Sequence, residues 1–141
     1  MPDSVRKVHY YSTTVSNRPG EAFRVLSTLV SAGINLLACA GHSTGRRSRI
    51  DVVPDDERRF ASAAKKARLI FSQKKAGFLI QGDDRPGALA DHLKQLADHR
   101  INVASVDGVT AGQGRWGAIV WVDARELARA GRVLRAKAGK R

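Results

Sequence analysis

Two Arg-Pro-Gly turns carry the residues best suited to hold a small charged molecule. They are Arg18-Pro19-Gly20 and Arg85-Pro86-Gly87. Each turn precedes a helical pattern, and a Pro-Gly turn lets the backbone enter a helix closely while its first amide groups stay unpaired. Such amides, together with the helix dipole, favour a carboxylate. The polar residue before each turn, Asn17 or Asp84, can accept hydrogen bonds from an ammonium group. The predicted chemistry is therefore binding of a small molecule that carries a carboxylate.

Both turns belong to a longer internal repeat. The arginines of the two turns lie 67 positions apart (85 − 18), and the dipeptides Ile34-Asn35 and Ile101-Asn102 have the same separation (102 − 35). Three further matches at this offset are Leu26 with Leu93, Leu29 with Leu96, and Gly41 with Gly108. A constant offset without gaps indicates two copies of one structural unit.

Length and charge limit the classes of function. The 141 residues allow one domain or two small ones, and a half of about 70 residues has only a marginal core of its own, so we expect the halves to associate. An apolar fraction of 43% argues against disorder. The net charge of +12 favours an anionic partner, such as an acidic protein or nucleic acid. Because the charges are scattered, nucleic-acid binding is not the favoured main function.

The cysteine content and the chain start indicate a compartment. Cys39 has no second cysteine to pair with, which fits a reducing environment, and its apolar neighbours predict a buried small side chain. The first residues contain no apolar signal-peptide core, and no apolar segment approaches the length of a membrane span. We expect a cytoplasmic protein without membrane association.

The first half shows alternating strand and helix patterns. A strand is predicted at 5–15, and a helix follows the turn and ends at Gly33. The predicted apolar face of that helix contains Ala22, Val25, Leu26, Leu29 and Val30. The pattern continues with a buried strand at 34–40, a returning strand at 49–53, a second helix after Pro54 and a short fourth strand at 69–71.

The second half repeats this order. Strands are predicted at 77–82, 101–109 and 116–122, with a hairpin turn at 111–114 and a final helix at 123–134. The first helix of this half is predicted to bury Leu89, Leu93, Leu96 and Ala97. No sequence match to the fourth strand is found before the basic end at 137–141, so this half is either truncated or completed from elsewhere, for example by the long N-terminal strand. The pattern predicts an α+β fold with two ferredoxin-like βαββαβ repeats, antiparallel sheets with helices on one face, in domains 1–73 and 74–141.

At this level the chain resembles a tandem pair of ACT domains, a family of small amino-acid-sensing regulatory modules. In that family a polar residue and a Pro-Gly turn connect strand one to helix one, and an Ile-Asn pair opens strand two. The resemblance implies a non-enzymatic regulatory protein that binds an amino acid or similar metabolite, needs no cofactor and forms homo-oligomers. The implied binding positions are Asn17, Arg18, Pro19, Gly20, Asn35 and Leu36 in the first half, and Asp84, Arg85, Pro86, Gly87, Asn102 and Val103 in the second.

Two alternatives remain open. The first is a ligand-free interaction module whose basic surface, including Arg125, Arg129 and Arg132 on one helical face, binds an acidic protein or nucleic acid. The second is a small enzyme on the same fold. The sequence offers it little support, because no catalytic motif is found and the four histidines lack the partners of a metal site. We therefore expect no catalytic residues and no metal ligands.

Overall fold

The computed structural model describes residues 3–138 and contains six strands and four α-helices, an α+β fold as predicted. The elements in chain order are β1 (Ser4–Ser16), α1 (Glu21–Ser31), β2 (Leu36–Thr44), β3 (Arg47–Pro54), α2 (Glu57–Lys66), β4 (Lys75–Asp83), α3 (Ala88–Asp98), β5 (Val103–Gly112), β6 (Arg115–Val122) and α4 (Leu127–Val133). A 3₁₀ turn, Ala124–Glu126, precedes α4.

The chain divides into two compact units. The first unit is His9–Lys75, and the second contains the described residues up to Val8 and those from Ala76 onward. The start of β1 groups with the second half of the chain rather than with the first. From β1 to α2 and again from β4 to α4, the chain has the order strand, helix, two strands, helix.

In the first unit the strands are ordered β2-β3-β1, with antiparallel pairing of β3 to both neighbours. Its core forms where apolar residues on α1 and α2 meet alternate residues of β1 and β3. The central members are Val25, Leu29, Val52 and Phe60, all 2% exposed or less. The helices therefore cover one face of these strands, as the alternation of side chains along a strand requires.

In the second unit the order is β1-β4-β6-β5, where β1 contributes its residues up to Val8. The core combines α3 and α4 with alternate residues of β4 and β6, including Phe78, Ile80, Leu96, Val120 and Ala130. The N-terminal strand thus supplies a neighbour for β4, one of the two outcomes expected for this half. Lys137 adds a short parallel bridge, since its N–H donates to Val5 O (2.9 Å) and its O accepts from Lys7 N (2.8 Å). Residues 139–141 of the predicted basic end lie outside the described residues.

Helices α1 and α3 show the 67-residue correspondence in three dimensions. Each has 11 residues and follows a left-handed glycine, Gly20 (φ 88°) or Gly87 (φ 79°). Each also ends in the same way, with Ile34 N–H donating to Leu29 O and Ile101 N–H donating to Leu96 O, both at 2.9 Å. The two helices therefore match at both their starts and their ends at the 67-residue offset.

Two predictions about secondary structure and burial are wrong. Residues 69–71 do not form a strand: Ile70 is 84% exposed, and the backbone bond to β1 from Ser72 N–H to Ser12 O (2.8 Å) lies just after them. The strand predicted as buried at 34–40 is not buried, because β2 lies at one end of the strand order and is mostly half-buried or exposed. Its counterpart β5 lies at the other end and is exposed to a similar extent.

Four single residues are also more exposed than predicted. Ala22 on α1 and Ala97 on α3 are exposed, because the buried positions of these two helices are Val25 and Leu29, and Ala88 and Leu96.

Cys39 on β2 is exposed, for the same reason as the rest of that strand. Val30 on α1 is 71% exposed, because the buried face of the helix is narrower than its apolar pattern and includes only Val25 and Leu29. No helix within residues 3–138 combines the length and apolar character needed to cross a bilayer.

Candidate functional site

The first Arg-Pro-Gly turn is fixed to the tip of the β2–β3 hairpin by Asn17. The backbone N–H of Asn17 donates to Arg46 O (2.8 Å), and its side-chain Nδ2 donates to Gly45 O (2.9 Å). The Oδ1 atom accepts from the hydroxyl groups of Ser43 (3.3 Å) and Ser48 (3.4 Å). Both ends of the Asn17 amide are therefore engaged, so this residue holds two loops together.

A cleft of about 490 Å³ opens where these two loops meet. It is lined by Ser16, Asn17, Arg18, Gly45, Arg46 and Arg47. Its volume lies in the range of small-molecule sites. The lining contains three arginines and no acidic residue, and no carboxylate of the described residues forms an ion pair with any of the three. The cleft is thus positively charged and suited to an anion.

The other predicted positions of the first unit do not line the cleft, and Asn35 and Leu36 follow the end of α1 rather than its start. Pro19 and Gly20 are exposed, and no side chain caps the start of α1. A Cβ at Gly20 would meet no atom within 4 Å, so the approach to the helix amides is open. Asn35 is exposed and its carbonyl accepts from Asp55 N–H (3.0 Å), while Leu36 packs partly against the core.

The second turn has a different arrangement, because a carboxylate of the chain itself is bound there. The Arg85 guanidinium donates from Nη1 to Asp3 Oδ1 and from Nη2 to Asp3 Oδ2, both at 3.2 Å. His92, one turn into α3, lies with Nε2 2.7 Å from Asp3 Oδ2. The Asp3 side chain is only 4% exposed. Burial opposes ionisation of this carboxyl group, but the hydrogen bonds from Arg85 and His92 prevail and lower its pKa below the ordinary value.

Gly82 and Trp116 complete the surroundings of this carboxylate. A Cβ at Gly82 would overlap the Asp3 carboxylate and would lie 3.0 Å from Trp116 Nε1, so both groups border the space left by the missing side chain. Trp116 is 6% exposed, and its ring centroid lies 6.0 Å from that of His92. Trp116 Nε1 and His92 Nδ1 are buried and have no hydrogen-bond partner within residues 3–138.

The remaining predicted positions of the second unit are less engaged. Asp84 is exposed, and its N–H donates to Gly114 O (2.7 Å), which ties this turn to the β5–β6 hairpin as Asn17 ties the first. Pro86, Gly87 and Asn102 are exposed, and Val103 packs partly against the core. The neighbouring Asp83 forms an ion pair with Arg115 (2.8 Å), which lowers the pKa of Asp83.

Sequence reasoning did not identify five of the residues that shape these two places. Arg46 and Arg47 belong to an arginine-rich loop that can be recognised in the sequence. Their position beside Arg18 depends on the folded hairpin. Asp3, His92 and Trp116 gave no comparable signal, since Asp3 and Arg85 are separated by 82 positions in the chain.

The described residues 3–138 contain no cluster of metal-ligating side chains. No group of three or more His, Cys, Asp or Glu residues in this part of the chain could hold a metal ion. Desolvation and the nearby Asp51 carboxylate raise the pKa of the Cys39 thiol, which disfavours the reactive thiolate form. His9 pairs with Glu57, and His99 Nδ1 lies 2.8 Å from the Gln95 carbonyl oxygen, so both histidines have local partners.

The fold is shared with several solved structures, although no protein-family model and no curated protein matches the sequence. A Bacteroides thetaiotaomicron protein is 18% identical over 93% of this chain and 88% of its own, with a TM-score of 0.78. The ligand-free regulatory subunit of aspartate kinase from Thermus thermophilus is 16% identical over 94% of each chain, with a TM-score of 0.63. The corresponding subunit from Thermus flavus is 17% identical over 96% of this chain and 95% of its own, with a TM-score of 0.56. At these identities the likeness concerns the fold.

Proposed function

We propose that the chain is a tandem ACT-type regulatory protein that binds an amino acid or a related small anion and performs no catalysis. The observation that carries the proposal is the cleft at the first turn, where Arg18, Arg46 and Arg47 face a space large enough for such a molecule. A planar guanidinium group can bind a carboxylate through two parallel hydrogen bonds, which makes arginine well suited to this ligand class. The fold shared with regulatory subunits of aspartate kinase supports a regulatory role.

The ligand would be held at two of its groups. Its carboxylate lies against Arg18 and the open amides after Gly20, and Arg46 and Arg47 attract any second negative group. Asn17 keeps the turn and the hairpin tip at a fixed separation, because its amide is engaged with Gly45 and two serines. Three arginines without a compensating carboxylate favour a ligand with net negative charge, such as an amino acid with an acidic side chain, over a neutral one.

The same site explains how the chain would act without a reaction of its own. The turn begins α1 and the hairpin joins β2 to β3, so a ligand in the cleft bridges two segments that otherwise meet through Asn17. Its effect would be to stabilise this geometry, which a partner protein or a second copy of the chain then recognises. We propose a cytoplasmic homo-oligomer as the working form, with binding positions at both turns as the repeat implies.

A thermal-shift screen with a library of amino acids, dicarboxylates and phosphorylated metabolites tests the proposal. A ligand at one hundred times its dissociation constant stabilises the folded state by about 2.7 kcal/mol, which shifts the melting temperature visibly. At least one acidic compound is expected to raise it at constant ionic strength. If no library member does so while an oligonucleotide or a polyacidic protein does, the chain is a basic interaction module instead.

A further inference from the structure

We propose that the second unit contains a separate carboxylate-binding cradle, formed by Arg85, His92 and Trp116, that is occupied in the native chain by its own residue Asp3. When Asp3 is withdrawn, the cradle takes a small free monocarboxylate of the size of acetate. A ligand that reaches the second turn must therefore compete with Asp3, whereas the first turn is open. This inference does not depend on ligand binding at the first turn.

The geometry of the cradle is that of a ligand site rather than of a surface ion pair. Arg85 contacts both oxygens of the carboxylate, in the bidentate form that fixes both distance and orientation. His92 adds a third contact from the neighbouring helix, and its side chain is only 12% exposed. Most exposed ion pairs lack such enclosure and contribute little to stability.

An unpartnered indole N–H also lies beside this space. Trp116 is 94% buried, and its Nε1 borders the Gly82 position that the Asp3 carboxylate also borders. A buried donor without a partner is uncommon, because a hydrogen bond left unformed in the protein interior costs free energy. A free carboxylate is not tied to a strand as Asp3 is, so it can move to accept from Trp116 and Arg85 together.

The first unit contains no equivalent of the cradle, although its turn has the same sequence. At the offset of 67, Gly82 corresponds to Val15 (82 − 67) and His92 to Val25 (92 − 67). Both valines are buried in the core of the first unit, Val25 to 1% exposure. The two positions that hold buried valines in the first unit hold a glycine and a histidine in the second. These two residues provide a polar space next to Arg85 in the second unit.

The test compares Asp3→Ala with the parent protein and with the double variant Asp3→Ala/Arg85→Gln. Sodium acetate is added against sodium chloride at equal ionic strength, and both the melting temperature and the two tryptophan indole N–H signals in ¹H–¹⁵N spectra are followed. Trp116→Phe assigns the signals. In Asp3→Ala, saturating acetate is expected to raise the melting temperature by about 3 °C over chloride, and to shift the Trp116 signal in a saturable way. The parent and the double variant should show neither effect.

A different result is expected if Asp3 only stabilises the fold and does not occupy a ligand site. Asp3→Ala would then be destabilised, but acetate would act no differently from chloride, and the proposal would be wrong. Equal acetate responses in Asp3→Ala and in the double variant would also contradict it, since Arg85 would not be the receptor. Asp3→Ser provides the same comparison if circular dichroism shows that Asp3→Ala does not fold. Ligand binding at the first turn is not measured by the Trp116 signal, so failure here and failure of the proposed function can be told apart.

Discussion

Arg85 and Asp3 form a bidentate ion pair, with Nη1–Oδ1 and Nη2–Oδ2 distances of 3.2 Å each, although 82 positions separate the two residues in the chain. The contact joins the turn before α3 to the beginning of β1 within one unit. Arg18, the arginine at the same place in the first turn, instead lines a cleft together with Arg46 and Arg47. Two turns of identical sequence therefore present their arginines to different surroundings.

Asp3 should make stability depend on pH in the acid range. Its carboxyl pKa in the folded chain is lowered below the ordinary value of 3.8, so its charged form stabilises the fold above that value. The contribution is lost as the pH falls through the folded pKa. We expect Asp3→Asn to be less stable than the parent at pH 5 and the difference to shrink steadily below pH 3.8. Urea unfolding of both proteins at a series of pH values measures this difference.

Arg85, His92, Asp83 and Asp91 lie near this group in both proteins. The difference in stability between the two proteins therefore reports the Asp3 charge together with its interactions with Arg85 and His92. A difference that stays constant from pH 5 to pH 2.5 would show that the Asp3 charge does not stabilise the fold.

Gly20 should be intolerant of a side chain for a backbone reason alone. Its φ is +88°, but a Cβ there would meet no atom within 4 Å. Gly20→Ala is therefore expected to cost about 1 kcal/mol, from the left-handed conformation rather than from a clash. Gly41→Ala is the matched control in the same unit, since its added Cβ would lie 4.0 Å from Arg49 O and its φ is not in the left-handed region. Chemical denaturation that gives equal losses for both variants would contradict this explanation.

The start of α2 should depend on one carboxylate. Asp56 caps the helix by accepting from the Arg59 backbone N–H at 3.1 Å. Asp56→Ala is expected to lower the free energy of unfolding by about 1 kcal/mol. Asp55→Ala removes the same charge at the preceding exposed position, which has no capping bond, and should have a much smaller effect. The same unfolding measurement compares the two variants, and similar losses would assign the effect to charge rather than to capping.

The sequence predicts the parts of this fold that rest on local patterns. The bounds of α1 and α3 and the left-handed glycines at their starts follow from the turn sequence and from the spacing of residues such as Leu29 and Leu96. Burial depends on neighbours instead, and the sequence does not show which strand lies at an edge. For that reason Cys39 and Val30 were expected inside and are exposed.

The candidate site is predictable to a similar extent. The polar turn at Asn17 and Arg18 stands out in the sequence, but the role of Asn17 in holding the hairpin tip does not, because it depends on Gly45 being brought to it. The binding of Asp3 at the second turn is harder to predict from the sequence, since no periodicity links the start of β1 to α3. Long-range contacts between polar side chains leave no regular pattern in the chain.

The most direct test of ligand binding at the first turn is isothermal titration calorimetry with the compound that the thermal-shift screen identifies. The parent, Arg18→Gln and Arg58→Gln are compared. Arg58 is exposed on α2 of the same unit and does not line the cleft, so its variant matches the change in net charge. We expect Arg18→Gln to weaken binding about tenfold or more, because a charge-assisted hydrogen bond contributes about 1.5–3 kcal/mol, and Arg58→Gln to leave the affinity near that of the parent. Equal affinities for the parent and Arg18→Gln would show that the cleft at the first turn is not the binding site.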